Sequence, residues 1–212
     1  MITPDFAFEK SLLPARARFV LGIDEVGIGS WAGPVVVGAF LLDLADFNPD
    51  IFIANRIRDS KTLSARQRRR IVDWFKQQGF SFQLFLSRAD TIDKKGIRSV
   101  LIDSIGRAIS FYRGAFDFVL IDGNLKIGNR WLVRSLPRGD ACCFSIAAAS
   151  ICAKVYRDRL MIKFARSYTY YDFDHNMGYG TKKHLAGLKA HGICPLHRLS
   201  YKPVKFFANH SP

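Results

Sequence analysis

The sequence predicts an α/β protein, a sheet with helices packed on it. Three observations lead there. The runs "RFVLGIDEV" (18–26) and "PVVVGAFLL" (34–42) are apolar and β-branched, later segments change between strand and helix periodicity, and an Ala-rich stretch favours a long helix. The short Gly/Pro-rich link between the first two runs suits an antiparallel pair, with Asp24 and Glu25 at the end of a central strand. Ser64 is placed to N-cap "ARQRRRIVDWFKQQ" (65–78), where Ile71, Trp74 and Phe75 share one face and Gly79 suits the stop. "FSFQLFL" (80–86) alternates as a strand does, and "IRSVLIDSIGRAISFY" (97–112) spaces its apolar residues as a helix. "FDFVLID" (116–122) is another strand ending in an acid. After a turn-rich connector comes "SIAAASICAKVYRDRLMIKFA" (145–165), a strong helix former. The stretch from "YDFDHNMGYGTKKH" (171–184) onward is rich in Gly, aromatic and basic residues and is expected to form a helical lobe against the sheet.

The expected division is an N-terminal extension over 1–17, a core over 18–166 and a C-terminal helical and loop region over 167–212 packing on that core. A length of 212 residues allows one sizeable domain. The 32 Lys and Arg against 18 Asp and Glu give a net charge of +14, which favours a polyanionic partner. The N-terminus has acids and prolines but no apolar signal-peptide core, and the run "WAGPVVVGAFLL" (31–42) falls short of the about 20 residues of a membrane span. A cytoplasmic protein with no membrane association is expected. The four cysteines, Cys142, Cys143, Cys152 and Cys194, form no CxxC pair and read as small buried hydrophobes.

The acids carry the chemistry. Asp24 and Glu25 close one apolar run, Asp122 closes another, and Asp140 shortly precedes the Ala-rich helix. One Asp at a strand end is ordinarily a turn-former or cap. Several carboxylates delivered to one sheet edge of a basic protein repel each other unless a cation lies between them, and Mg²⁺ suits such oxygen ligands. Two ions about 4 Å apart can activate water and stabilise a leaving oxygen in phosphodiester cleavage. Adjacent residues of a regular strand face opposite ways, so a twist or bulge is expected at Asp24–Glu25.

These blocks resemble the type 2 ribonuclease H family (ribonuclease HII). "GIDEVGIGSWAGPVV" (22–36) is similar to the family's opening GIDEAGRG…AGPVV, "DSKTL" (59–63) to its DSKxL and "LIDGN" (120–124) to its acid-bearing strand. "GDACCFSIAAASICAKVYRD" (139–158), "MGYGTKKH" (177–184) and "HRLSYKPV" (197–204) follow in family order. The resemblance implies a ribonuclease H-like mixed five-stranded sheet flanked by helices, with a C-terminal helical extension. It implies that Asp24, Glu25, Asp122 and Asp140 are catalytic and bind two Mg²⁺ or Mn²⁺ ions. The implied reaction is hydrolysis of RNA in RNA–DNA hybrids, or at ribonucleotides embedded in duplex DNA, leaving a 5′-phosphate and a 3′-hydroxyl. This is the chemistry of RNA primer and misincorporated ribonucleotide removal.

Substrate contacts follow from the same blocks. Only the 2′-hydroxyl distinguishes RNA from DNA locally; Gly27 and Gly29 remove bulk beside the acids, and the family's matching segment, here Gly27-Ile28-Gly29, touches the ribonucleotide there. Tyr179 matches a family tyrosine that packs on the sugar after the scissile phosphate, and Lys61 is the candidate phosphate contact. Lys154, Lys182, Lys183 and Arg198 are further basic candidates, His184 and His197 are expected to be structural or near phosphate, Asp158 is expected to pair with Arg157 or a neighbouring base, and Asp59 to anchor a turn. Phe206 and Phe207 raise sliding-clamp docking, but the upstream positions fall on Ser200 and Pro203, a poor match. Nothing requires more than a monomer.

Two departures stand out: Ile28 replaces the family's Arg, and Gly96 replaces its Asn at a helix start. Losing the guanidinium removes five donors and a charge, but a backbone readout of the 2′-hydroxyl would survive. The alternatives are a catalytically impaired nucleic-acid-binding protein and another metal-dependent nuclease on the same fold. Retention of the four acids opposes the first; the Asp-Glu pair with its glycine loop and GYGT opposes the second.

Overall fold

A computed structural model describes residues 4, 6–45, 48, 50, 57, 60–125 and 132–208; Asp59 and the last four residues of the C-terminal tail lie outside them. Its strands are β1 (Phe19–Val26), β2 (Val35–Asp43), β3 (Ser81–Ser87), β4 (Phe118–Asp122) and β5 (Val133–Leu136). Among the described residues they form one mixed sheet in the order β3-β2-β1-β4-β5, antiparallel on the β3 side of β1 and parallel on the other. β5 is the strand the sequence does not announce. It lies in the connector, is four residues long and is nowhere fully buried, so it has no apolar run to show.

Helices cover both faces, which is why β1 and β2 read as nearly unbroken apolar runs. They are α1 (Phe6–Ser11), α2 (Ala65–Gln77), α3 (Ala89–Lys95), α4 (Ile97–Phe111), α5 (Gly139–Cys142), α6 (Phe144–Ala165), α7 (Phe173–Asn176), α8 (Lys182–His191) and α9 (Lys202–Ala208). On one face Leu21, Ile23, Val119 and Ile121 meet Val100, Leu101, Ile105 and Ile109 of α4. On the other, Phe40 and Leu42 pack with Ile71, Val72 and Phe75 of α2 and the small residues of α6. Ser64 caps α2 through a reciprocal capping box with Gln67.

The Ala-rich helix lies unusually close to the sheet because two mid-strand glycines make room for it. A Cβ at Gly22 would fall 2.2 Å from the Ser145 carbonyl carbon, and one at Gly38 2.4 Å from the Ala149 oxygen. Glycine within a strand marks such an approach. Gly96 has φ +78 where α3 ends and α4 begins, so this departure serves a helix junction in which Asn would be strained.

The N-terminal segment enters the core. Glu9 of α1 is fully buried, and its carboxylate accepts the Phe144 N–H at 2.8 Å, the Ser145 N–H at 3.2 Å and the Ser145 hydroxyl. The N-cap residue of α6, Cys143, offers no side-chain bond, so a residue more than a hundred positions away satisfies the orphan donors.

The C-terminal lobe is joined to the β1–β2 connection. Trp31 and Ala32 pack with Met161, Tyr171, Phe173, Leu188 and Cys194 in its core. The Trp31 N–H donates to Gly178 O at 2.8 Å, the Gly33 N–H to Leu196 O at 2.8 Å and the Arg198 N–H to Trp31 O at 2.8 Å. No helix among the described residues is long and apolar enough to cross a membrane.

Candidate active site

The parallel ladder between β1 and β4 ends at Ile23 opposite Ile121. The next residues, Asp24, Glu25 and Asp122, therefore stand at the carboxyl ends of adjacent strands, where α/β proteins place their chemistry. α5 brings Asp140 to the same end, and the Gly139 N–H donates to Asp122 Oδ1 at 2.7 Å.

Of the twist or bulge expected at Asp24–Glu25, the bulge is absent: β1 stays in register with β2 through Asp24 opposite Gly38, Glu25 opposite Val37 and Val26 opposite Val36. Asp24 and Glu25 both feel the charges of Asp122 and Asp140, because β4 no longer flanks β1 there. Glu25, one methylene longer than Asp24, comes within range of the charges of Asp122, Lys61 and Asp140.

Electrostatics show the crowding. Burial, then the charges of Glu25 and Asp122, hold the Asp24 carboxyl well above the usual range. Burial and the neighbouring Asp122 push Glu25 up to about 7, against the pull of Lys61. Burial and Asp140 raise Asp122, against the Gly139 and Asp140 N–H groups. Lys61 Nζ donates to Asp140 Oδ2 at 2.6 Å from the surface side. Glu25 Oε2 is buried with no hydrogen-bond partner. An orphaned carboxylate oxygen among mutually repelling acids fits an oxygen-ligated divalent cation. The carboxylates have not closed into a tight cage. Among the described residues, only Asp172, Asp174 and His175 bring three ligand atoms within 4.8 Å of one another. That group is on the outside of the lobe, where Lys183 Nζ also lies 3.5 Å from Asp172.

Of the expected substrate contacts, Gly27, Ile28 and Gly29 lie in the loop directly after β1, with Ile28 37% exposed. Gly27 has φ +92, and a Cβ there would meet Arg157 Nε at 2.2 Å. Its glycine is thus demanded from behind, by backbone conformation and a buried arginine, whereas a Cβ on Gly29 would meet nothing within 4 Å. Tyr179 is in the loop that bonds to this connection, half-exposed, with the Arg157 guanidinium 5.5 Å from its ring.

Other expectations are corrected. Arg198 is fully buried and binds the carbonyls of Gly33 and Ile28, so it cannot touch phosphate. Asp158 does pair with neighbouring bases, Lys154 at 2.8 Å and Arg68 at 3.4 Å, as one of its two expected alternatives had it, and this ties Lys154 down. Arg157 instead donates to Pro34 O, Met177 O, Ser30 Oγ and Ala32 O, so three carbonyls and one hydroxyl stand where a carboxylate was expected.

His184 and His197 form a buried chain with defined protons. The Cys194 N–H, at 2.8 Å, occupies the lone pair of His197 Nδ1 in preference to the 3.3 Å approach of that nitrogen to Cys194 O. His197 therefore carries its proton on Nε2 and donates to His184 Nε2 at 3.0 Å, which leaves His184 Nδ1–H to donate to Tyr179 O at 2.9 Å. Burial pulls His197 down to about 4 and also lowers His184, which favours the neutral rings that this hydrogen-bond chain requires.

The family model described as ribonuclease HII matches residues 21–204. The ribonuclease HII of Listeria innocua is 43% identical over 199 residues, 93% of this chain and 73% of that protein. The structure resembles ribonuclease H2 from Pyrococcus horikoshii, with TM-score 0.74 at 21% identity over 90% of this chain and 97% of that one. Ribonuclease HII of Archaeoglobus fulgidus, solved in a complex with PCNA, gives 0.72 at 22% identity over 87% and 95% of the two chains. Bst-RNase HIII in complex with Mn²⁺ gives 0.68 at 19% over 91% and 70%. At such identities the solved structures show the shared fold, and the sequence matches show descent: the chain belongs to the ribonuclease HII family.

Proposed function

We propose that the protein cuts the RNA strand of RNA–DNA hybrids and ribonucleotides embedded in duplex DNA, leaving 5′-phosphate and 3′-hydroxyl ends, with Asp24, Glu25, Asp122 and Asp140 holding two Mg²⁺ or Mn²⁺ ions. The observation that carries this reading is the buried, unpartnered Glu25 Oε2 among acids that raise one another's pKa. When bound, the ions would polarise the scissile phosphate and make the attacking water more acidic. The Mn²⁺ complex of the similar ribonuclease HIII supports the metal class.

The chain's own groups do the rest. Lys61, with an exposed ammonium beside Asp140, is placed to neutralise a phosphate next to the cut. The Gly27-Ile28-Gly29 loop meets the 2′-hydroxyl through its backbone, and Tyr179 packs on the following sugar. The net charge of +14 supports binding along a polyanion, weakening with salt. The protein works as a cytoplasmic monomer on RNA primers and misincorporated ribonucleotides. Sliding-clamp docking has in its favour the PCNA complex of the Archaeoglobus relative and the exposed Phe206 ring, whereas Phe207 packs against the lobe core.

The test is incubation with Mg²⁺ or Mn²⁺ and duplex DNA carrying one ribonucleotide, beside an RNA–DNA hybrid and an all-DNA duplex. Cleavage of the first two alone is expected. Failure to cut either one removes the proposal.

A further inference from the structure

The Ile28 carbonyl oxygen is held by two side chains from the far end of the chain. Arg198 Nη1 donates to it at 2.7 Å and Tyr201 Oη at 2.5 Å. Arg198 is itself fixed: it is fully buried, with Nε and Nη2 on Gly33 O at 3.1 and 3.0 Å and Nη1 also on Tyr201 Oη at 3.0 Å. Its guanidinium lies 5.1 Å from the Tyr201 ring, which packs against the core on the α4 face of the sheet.

A planar trans peptide points its C=O and the following N–H in opposite directions, and no peptide bond among the described residues is cis. Drawing the Ile28 carbonyl toward the lobe therefore turns the Gly29 N–H away from it. A Cβ built on Gly29 would meet nothing within 4 Å, so the residue is open on its side-chain side, and among the described residues no protein acceptor takes its N–H. The result is a preoriented, unspent donor in the loop beside the acids.

We propose that Arg198 and Tyr201 are positioning residues that, by clamping the Ile28 carbonyl, aim the Gly29 N–H at the ribose 2′-hydroxyl of the substrate. The inference rests on the reading above that this loop meets the ribonucleotide. It explains how ribose selection persists with Ile at position 28: the peptide is oriented from behind, whatever side chain residue 28 carries.

Tyr201→Phe tests it, since this variant keeps the ring in the core and removes one donor. Affinity of the full-length protein for duplex DNA with one ribonucleotide and for the all-DNA duplex is measured by fluorescence anisotropy in Ca²⁺, and cleavage in Mg²⁺. The variant is expected to lose about tenfold in kcat/KM and most of its preference for the ribonucleotide duplex, with all-DNA affinity and melting temperature unchanged. A wild type that cuts and prefers the ribonucleotide duplex, beside a variant with the same preference and kcat/KM within about twofold, overturns the clamp. An equal loss of affinity for both duplexes also overturns it. A wild type that neither cuts nor prefers that duplex overturns instead the functional reading beneath it.

Discussion

Lys61 Nζ lies 2.6 Å from Asp140 Oδ2, an exposed ammonium on a carboxylate that is only 5% exposed. The same charge lowers the pKa of Glu25 and of Asp122, so Lys61 offsets repulsion across the whole site.

Replacing Lys61 by Met should lower kcat/KM by about 100–1,000-fold, the scale of losing one group that stabilises developing charge. It should also shift the titration of Glu25 in the metal-free protein above about 7, because the group that favours the charged carboxylate is gone. A ¹³C-NMR titration of the Glu25 carboxyl carbon reads this directly; an unchanged pKa would show that the two charges do not communicate.

Metal-free stability should fall with rising pH. The Glu25 pKa is raised from 4.5 to about 7 in the folded state, so the fold binds more protons than the unfolded chain. That contribution is complete below about 4.5 and is lost as pH rises through about 7. Asp24→Asn removes one repelling charge and should raise the metal-free melting temperature at pH 8 by about 3 °C, roughly 1 kcal/mol for a chain of this size. The same variant should lose at least about a thousandfold in turnover. Calorimetry with and without metal, beside the cleavage assay, checks both directions.

Glu9→Ala should destabilise by about 2–3 kcal/mol, because it leaves the buried Phe144 and Ser145 N–H groups without acceptors. The melting temperature should drop by about 5–10 °C. Glu9→Gln, which keeps one acceptor oxygen, should lose less. Equal losses for the two would mean that packing, not capping, holds α1 in place.

His197 should remain neutral with its proton on Nε2 at pH 5, and at neutral pH His184 should carry its proton on Nδ1. The His197 pKa is depressed to about 4 from 6.5, so its contribution to stability is full above about 6.5 and is lost as pH falls through about 4. Ring ¹⁵N shifts report both tautomers. The opposite pair of tautomers would remove the support we assign to the Tyr179 carbonyl.

Much of the site could be read from one dimension. Asp24, Glu25, Asp122 and Asp140 lie at the ends of apolar runs or just before a strong helix, and strand ends of an α/β sheet gather at one edge. The N-cap at Ser64 was equally local. What escaped shares one property, that its partner is remote in sequence. Glu9 caps a helix from 135 residues away, and Arg198, which looks like a surface base, is spent on Gly33 and Ile28 carbonyls about 165–170 residues upstream. A signal for the close seating of α6 was present in the mid-strand Gly22 and Gly38, since glycine there implies an approaching backbone.

By itself, then, the sequence determined which residues are acidic, where four of the strands and the long helices run, and which blocks mark the family, because propensity, periodicity and motif spacing are local. Only the tertiary structure decided how adjacent Asp24 and Glu25 both come within range of Asp122 and Asp140 without a bulge, which basic residues are buried, and what orients the peptide at Ile28. Those outcomes depend on where the β1–β4 ladder stops and on which distant side chain reaches an otherwise unsatisfied carbonyl. Buried polar groups must find partners wherever packing places them, and packing is settled across the whole chain at once.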